Sequence, residues 1–259
     1  MTQTALEITV LGSGTSAGVP MIGCHCAVCQ SKDPRDKRTR PSIAVSYKGK
    51  HILVDTTPEL RLQAVANSLH HVDAVVYTHG HADHVFGLDD IRRYNTVLGA
   101  ALPVYATPET FGTLRRCFPY AFIEQEETGV FRPQITAVEI LGPFDLLGLQ
   151  WIPIPMIHGR VKVLGFRIGN FAYCTDCSAI PESSQQLLQG LDVLIIDALR
   201  PRPHPTHLSF EQALAMIDRL GAKRAFFTHV AHDVSHLQAE SGLPPHVRVL
   251  YDGLRIQVG

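Results

Sequence analysis

The sequence predicts an α/β protein whose chemistry gathers at one edge of its sheets, and three observations carry this. Short apolar runs, such as Ala74-Val75-Val76-Tyr77 and Trp151 to Ile157, have the length and composition of strands. Segments of helical pattern lie between such runs, and some open on a Thr-Pro or Ser N-cap signal. Several of the runs stop at, or one residue before, a His or Asp: His79, His158, Asp176 and His229. Strand ends at one edge are where α/β sites assemble. At 259 residues the chain suits one α/β sandwich or barrel, so a single domain over residues 1–259 is expected.

Charged residues make up 18% of the chain and the formal charge is −1, which leaves no basic footprint for a stable nucleic-acid partner. Histidine is in excess, at 14 residues. No apolar run approaches the length of a membrane span. The start, Met1 to Glu7, lacks a basic region followed by an apolar core, so no signal peptide is expected. The expected compartment is the cytoplasm, where clustered cysteines more often bind metal than form disulfides.

Glu7 to Leu11 reads as a first strand, and Gly12 to Gly18 as the turn after it. That loop is rich in Gly and Ser, but no Gly-Lys-Ser/Thr follows, so a phosphate loop is not expected; it could still line a site. Cys24, Cys26 and Cys29 follow within six residues. Thiolates at this density suit tetrahedral zinc and leave one position vacant. His25 lies between ligands and reaches poorly, so a distant His is the better fourth. The charged segment Lys32 to Arg40 is a solvated loop, which makes residues near 23–40 a Cys-rich insertion.

Ser42 to Tyr47 and His51 to Val54, split by Lys48-Gly49-Lys50, read as a β-hairpin. A helix follows, with Pro58 in its first turn and an apolar face of Leu60, Val65 and Leu69. The strand before His79 comes next. His79 and His81 are two apart in extended chain and project to one side. Asp83 and His84 arrive from the turn through Ala82. Four metal-competent side chains in six residues can serve two adjacent ions. Asp89 to Leu98 is helical in pattern; its trio Arg92, Arg93 and Tyr94 reads as a solvated face rather than a phosphate contact.

Thr107 and Pro108 cap a helix after the strand Leu102 to Ala106. Phe118 to Gln134 reads as a surface excursion, a lid or a dimer contact. Ile135 to Phe171 reads as several short strands, with His158 at the end of one. Asp176 follows the strand Phe171 to Cys174; Cys174 and Cys177 flank it, and neither is counted as a ligand. Pro181 to Gln189 reads as a helix, and Val193 to Ile196 as a buried strand ending in Asp197. His207 lies just ahead of a helix opened by Ser209, with Gln212 at the capping-box position. A histidine there is a candidate proton donor, and His204 is the weaker of the pair. Gly221 ends that helix. His229 follows the strand Arg224 to Phe227 and can complete the second ion's site; His232 is the proposed fourth partner of the three cysteines. The tail carries one or two closing strands.

The run Thr78-His79-Gly80-His81-Ala82-Asp83-His84 matches the His-x-His-x-Asp-His signature of the metallo-β-lactamase superfamily, and His158, Asp176 and His229 appear in that superfamily's order. The resemblance implies an αβ/βα sandwich: two facing mixed sheets with helices outside. It implies that His79, His81 and His158 hold one metal, that Asp83, His84 and His229 hold the other, and that Asp176 bridges. The cysteine cluster with His232, and the Pro-Thr-His207-Leu-Ser segment, resemble the PhnP phosphodiesterases of the carbon–phosphorus lyase pathway. That resemblance implies two divalent catalytic ions, manganese or zinc, and one structural zinc. It implies a homodimer and a small cyclic phosphodiester as substrate: 5-phosphoribosyl 1,2-cyclic phosphate, or nucleoside 2′,3′-cyclic phosphates, in phosphonate catabolism. His207 and Asp83 are the expected catalytic residues. The competing readings are a tRNase Z-like nuclease, a thioester or lactone hydrolase, and a non-catalytic PqqB-like metal-binding protein.

Overall fold

The computed structural model describes residues 6–123 and 131–259. Residues 1–5, and 124–130 of the expected surface excursion, lie outside the described residues; so does most of the Met1 to Glu7 segment read for a signal peptide. Two seven-stranded sheets face each other. The first is ordered β14 (Arg255–Val258), β1 (Leu6–Gly12), β2 (Ser42–Tyr47), β3 (Lys50–Val54), β4 (Ala74–Val76), β5 (Leu102–Ala106), β6 (Ile135–Glu139). The second is ordered β13 (Val247–Val249), β12 (Arg224–Thr228), β11 (Val193–Asp197), β10 (Phe171–Cys174), β9 (Val161–Ile168), β8 (Leu149–His158), β7 (Phe144–Leu146). The two closing strands of the tail therefore end up in different sheets.

Strand periodicity sorts the side chains into layers. Val193 and Ile195 of β11, with Phe171 and Tyr173 of β10, face inward to meet Ile8, Val45, Val54 and Val76 of the first sheet. Their neighbours Leu194, Ile196, Ala172 and Cys174 face outward. There they pack beneath α6 (Phe210–Leu220) and α7 (His236–Ser241), with α5 (Glu182–Gln186) following β10. The outer face of the first sheet is covered by α1 (Leu60–Ala66), α2 (Ala82–Val85), α3 (Arg92–Leu98) and α4 (Pro108–Cys117). The layers are thus helix, sheet, sheet, helix, as expected. No described helix is long and apolar enough to cross a membrane.

The local signals explain the boundaries. Thr107 accepts a hydrogen bond from the Thr110 N–H and opens α4. Ser209 and Gln212 form a full capping box at α6, which closes on Gly221 in the left-handed region. Helix α1 departs from its expected face. Pro58 and Glu59 precede it, so it starts only at Leu60. Val65 is 72% exposed, whereas Gln63 is 3% exposed. The Gln63 amide accepts from Thr57 Oγ1 and donates to Thr39 Oγ1 and the Arg40 carbonyl, and these bonds turn the helix. The Arg92-Arg93-Tyr94 trio also divides: Tyr94 is buried with its hydroxyl on the Leu69 carbonyl, and Arg92 pairs with Asp89.

Topology delivers strand ends to one edge. Strands β3 to β6 are mutually parallel, as are β10 to β13. Strand β8 is antiparallel to β9, which is antiparallel to β10, so β8 and β10 end together. The loop after β1 is packed against this edge. Ser13 donates to Asp252 from both its N–H and its hydroxyl, and its carbonyl accepts from the Val230 N–H. A Cβ at Gly12 would lie 1.9 Å from the Arg40 carbonyl oxygen. Gly12→Ala is therefore expected to destabilise the fold by about 2 kcal/mol or more, read as a lower urea midpoint; an unchanged midpoint would show that the β1–β2 contact yields freely.

Candidate metal centre

The site starts from a buried carboxylate that the sequence reading passed over. Asp55 follows β3 in the left-handed region, at φ 65°. Its Oδ1 accepts the Thr78 N–H at 2.8 Å. Its Oδ2 accepts from the Thr78 hydroxyl and from His84 Nδ1, each at 2.8 Å. With its proton committed to Asp55, the Thr78 hydroxyl can accept from His79 Nδ1 at 3.0 Å. Both rings are thereby turned so that Nε2 points into the site. Outer carboxylates of this kind set the tautomer of ligand imidazoles.

The second sheet brings the rest. His158 ends β8 and donates Nδ1 to the Thr206 carbonyl at 2.7 Å, which leaves Nε2 for the site. Asp176 and His229 follow β10 and β12, both in the left-handed region at φ 54° and 62°. Such backbone in non-glycine residues costs about 1 kcal/mol or more each and persists where the surroundings over-determine it. Asp176 stands at the meeting point. Its Oδ1 is 3.3 Å from His84 Nε2. Its Oδ2 is 3.3 Å from His229 Nε2 and 4.0 Å from both His79 and His158 Nε2. Asp83 Oδ2 lies 3.4 Å from His84 Nε2 and 3.7 Å from His229 Nε2.

Two donor sets result. In His79, His81 and His158, and again in Asp83, His84, Asp176 and His229, the donor atoms lie within 4.8 Å of one another. A cation with ligands at roughly 2.0–2.2 Å needs donors packed on this scale. The fit is tested by atoms with nothing to bind. His79 Nε2, Asp83 Oδ2, His84 Nε2 and His229 Nε2 are all buried without a hydrogen-bond partner. Orphaned buried polar atoms are rare because each costs its desolvation energy, and four gathered in these two adjoining donor sets fit cation ligands. Burial opposes charge throughout the cluster. Even so, Asp176, Asp83 and Asp55 hold the His84 imidazole well above its ordinary value, and burial, with His84 close by, drives His79 well below its own.

His207 stands against both donor sets. Its ring centroid is 4.7 Å from that of His158 and 4.5 Å from that of His229. Its Nδ1 is held at 3.0 Å by Asp197 Oδ2, which also accepts the N–H groups of Cys177 and Leu208. A buried carboxylate at the end of β11, rather than the N-terminus of α6, holds the ring. His204 lies at a centroid distance of 5.3 Å from His207, and its Nδ1 accepts from the Thr206 N–H. Cys177 is buried, and burial pushes its thiol well above the ordinary value.

The cysteine cluster assembles as a separate centre. Cys24, Cys26 and Cys29 Sγ lie 3.3, 3.4 and 3.6 Å from His232 Nδ1. All four donor atoms are within 4.8 Å of one another. That set suits a closed tetrahedral zinc site. The Cys29 N–H and His232 lower the Cys26 thiol to about 6, whereas burial raises that of Cys29 to about 11. Arg38, fully buried, ties the insertion to the same loop. It pairs with Asp36 at 3.1 Å and donates to the Ala231 carbonyl, between His229 and His232.

Asp55, Thr78, Asp197 and Arg38 went unassigned as supports in the sequence. Asp55 and Asp197 do carry the signal that marked Asp176, a carboxylate at the end of an apolar run. Neither lies beside another candidate in the chain, and only tertiary contact pairs them with His84 and His207.

The β-lactamase superfamily domain matches residues 50–230, and the chain belongs to the β-lactamase superfamily, here with the metallo-β-lactamase fold. It is similar to a crystal structure of a diphosphatase from the PhnP family, at 44% identity and a TM-score of 0.92, over 98% of this chain and 97% of that one. Zinc-bound PqqB from Methylobacterium extorquens shares the fold, at 21% identity and a TM-score of 0.80, over 96% and 99% of the two chains. An octanoyltransferase of Porphyromonas gingivalis is 38% identical over 252 residues, covering 96% of this chain and 51% of that protein. The chain thus spans about half the length of that relative.

Two measurements bear on these centres. Asp55→Asn is expected to weaken retention of metal at the His/Asp cluster roughly 10–100-fold, measured by metal analysis after graded chelation, because the outer partner of His84 is lost. Zinc loading of the cysteine cluster is expected to release protons at pH 7, since a Cys29 thiol near 11 is protonated there. Zinc affinity should therefore rise with pH, and calorimetry in buffers of different ionisation enthalpy reads the protons directly.

Proposed function

We propose that this metallo-β-lactamase-fold hydrolase is a phosphodiesterase that opens small cyclic phosphodiesters, such as a ribose cyclic phosphate or a nucleoside 2′,3′-cyclic phosphate. The observation that carries the reading is the Asp197–His207 pair, placed against both donor sets. In this reading His79, His81 and His158 hold one ion, Asp83, His84 and His229 hold the other, and Asp176 bridges. Manganese or zinc suits these donors. Cys24, Cys26, Cys29 and His232 hold a structural zinc.

Two such ions would supply Lewis acidity toward the phosphoryl oxygens and activate the attacking water. The chain supplies geometry and a proton. Asp55 and the Thr206 carbonyl keep His84 and His158 facing inward before any ion arrives. A phosphodiester opens by expelling an alkoxide, a poor leaving group unless it is protonated as it departs. Asp197 holds His207 by Nδ1, which leaves Nε2 to deliver that proton. The similarity to a PhnP-family diphosphatase supports phosphoryl chemistry, and also places diphosphates among the substrates to be compared. A diphosphate expels a phosphate, which needs no such donor.

A second reading is favoured by the octanoyltransferase relative: hydrolysis of an acyl thioester, whose thiolate leaving group also departs without a proton. One assay separates the three. The manganese- or zinc-loaded protein is given 2′,3′-cyclic AMP, bis(p-nitrophenyl) phosphate, ADP-ribose and octanoyl-CoA. Turnover of the cyclic diester is expected to dominate. Octanoyl-CoA turnover without diesterase activity would replace the reading. His207→Ala is expected to lower kcat on the cyclic diester by about 100-fold or more with bound metal unchanged. Parallel loss of metal would make His207 a ligand instead.

A further inference from the structure

One short segment serves both centres. His229 belongs to the Asp83, His84, Asp176 and His229 donor set, and His232 belongs to the Cys24, Cys26, Cys29 and His232 set. Val230 and Ala231 lie between them. In a free loop, the dihedrals of those two residues would let one imidazole shift without moving the other. Here the intervening peptides are held. The Val230 N–H donates to the Ser13 carbonyl and the Ala231 N–H to the Leu199 carbonyl, while the Ala231 carbonyl accepts from Arg38 Nη1 at 3.0 Å.

Arg38 does more than make that one bond. Its Nη2 donates to Asp36 Oδ1 at 3.1 Å and to the Val234 carbonyl at 3.5 Å, and the same Asp36 oxygen accepts the His236 N–H at 2.7 Å. The pair therefore grips the chain on both sides of His232. The Arg38 and Asp36 side chains are 0% and 3% exposed, so water competes little for these bonds.

The pair is also tied to the cysteines. Arg38 exchanges two backbone hydrogen bonds with Val19, each 2.8 Å, and Lys37 Nζ donates to the Cys29 carbonyl at 3.2 Å. Val19 packs with Val28 and Cys29 in a small buried cluster, against which Met21, Cys24 and Cys26 lie partly buried. So few apolar side chains order a loop weakly, and ligation of zinc would supply the rest. His229 is sensitive to such ordering, because its left-handed backbone persists only where its surroundings over-determine it.

We propose that the two centres are energetically linked: zinc at the cysteine cluster tightens cation binding at the Asp83, His84, Asp176 and His229 set. Arg38 is the positioning residue that transmits the effect, acting on His229 through the Ala231 carbonyl. The linkage rests on the assignment of metal to both donor sets, and not on the phosphodiesterase reading. It is reciprocal, so a cation at the His/Asp set tightens zinc by the same factor.

The test reads binding rather than turnover. Mn²⁺ suits carboxylate and imidazole rather than thiolate donors, so it reports the His/Asp centre, and the free ion is counted by electron paramagnetic resonance. It is titrated into wild type and Arg38→Lys, each with one zinc at the cysteine cluster and each stripped of zinc. Lysine keeps a charge beside Asp36, but one ammonium cannot span the carboxylate and both carbonyls as the guanidinium fork does. Zinc is expected to tighten Mn²⁺ binding at least about tenfold in wild type and about threefold or less in Arg38→Lys, at equal zinc content. Equal Mn²⁺ affinity with and without zinc overturns the proposal, as does a coupling that Arg38→Lys leaves intact. Should the stripped protein lose its circular dichroism, the two zinc-loaded proteins decide. Mn²⁺ binding weakened at least about fivefold in Arg38→Lys, at full zinc content, upholds the linkage, and equal affinity refutes it. Zinc-loaded wild type that takes up no further ion of any kind would refute the metal reading of the His/Asp centre, and the linkage with it.

Discussion

The arrangement depends on burying one carboxylate, Asp176, in the seam between two sheets. His79 and His84 approach it from the first sheet, and His158 and His229 from the second. A carboxylate and four imidazoles out of water would be prohibitive if unpaired. Their mutual contacts, and the cations that their free nitrogens suit, offset that cost. The seam is therefore where the two halves of the sandwich are held to one another electrostatically, while the aliphatic layer from Ile8 to Ile195 holds them by burial.

The left-handed backbone at Asp55, Asp176 and His229 follows from the same constraint. Each is the point where a parallel strand stops and its next side chain must turn back over the sheet edge. A right-handed or extended residue there would aim the side chain elsewhere. The strain is local, and the strands that flank it are stiff and buried on both faces, so they supply the over-determination that strained residues need.

Support is layered in the same way around each reactive ring. Asp55 stands behind His84, the Thr206 carbonyl behind His158, and Asp197 behind His207. The cysteine cluster belongs to this scheme through the loop from His229 to His232. Arg38 of the insertion grips that loop at Ala231, and Ser13 grips it at Val230. A zinc-organised insertion would thus brace a segment that also carries His229, a member of the Asp83, His84, Asp176 and His229 donor set. The pattern resembles a scaffold that fixes nitrogen positions before metal arrives, in keeping with pre-organised sites generally.

Much of this was legible in the chain itself. His79, His81, Asp83 and His84 were visible because their grouping is local: extended backbone aims alternate residues one way, and a turn brings the next pair round. His158, Asp176 and His229 were visible because apolar runs mark strands, and parallel strands end at one edge. The Thr107 and Ser209 caps are likewise short-range hydrogen bonds, written in adjacent residues. Tertiary structure alone decided what depends on distant neighbours. Asp55 and Asp197 became supports only when folding placed them behind His84 and His207. Gln63 rather than Val65 was buried because Thr39 and Arg40, from before the β2–β3 hairpin, offered its amide partners. Local spacing specifies direction along one element; partnership between elements is specified by the packing of the whole.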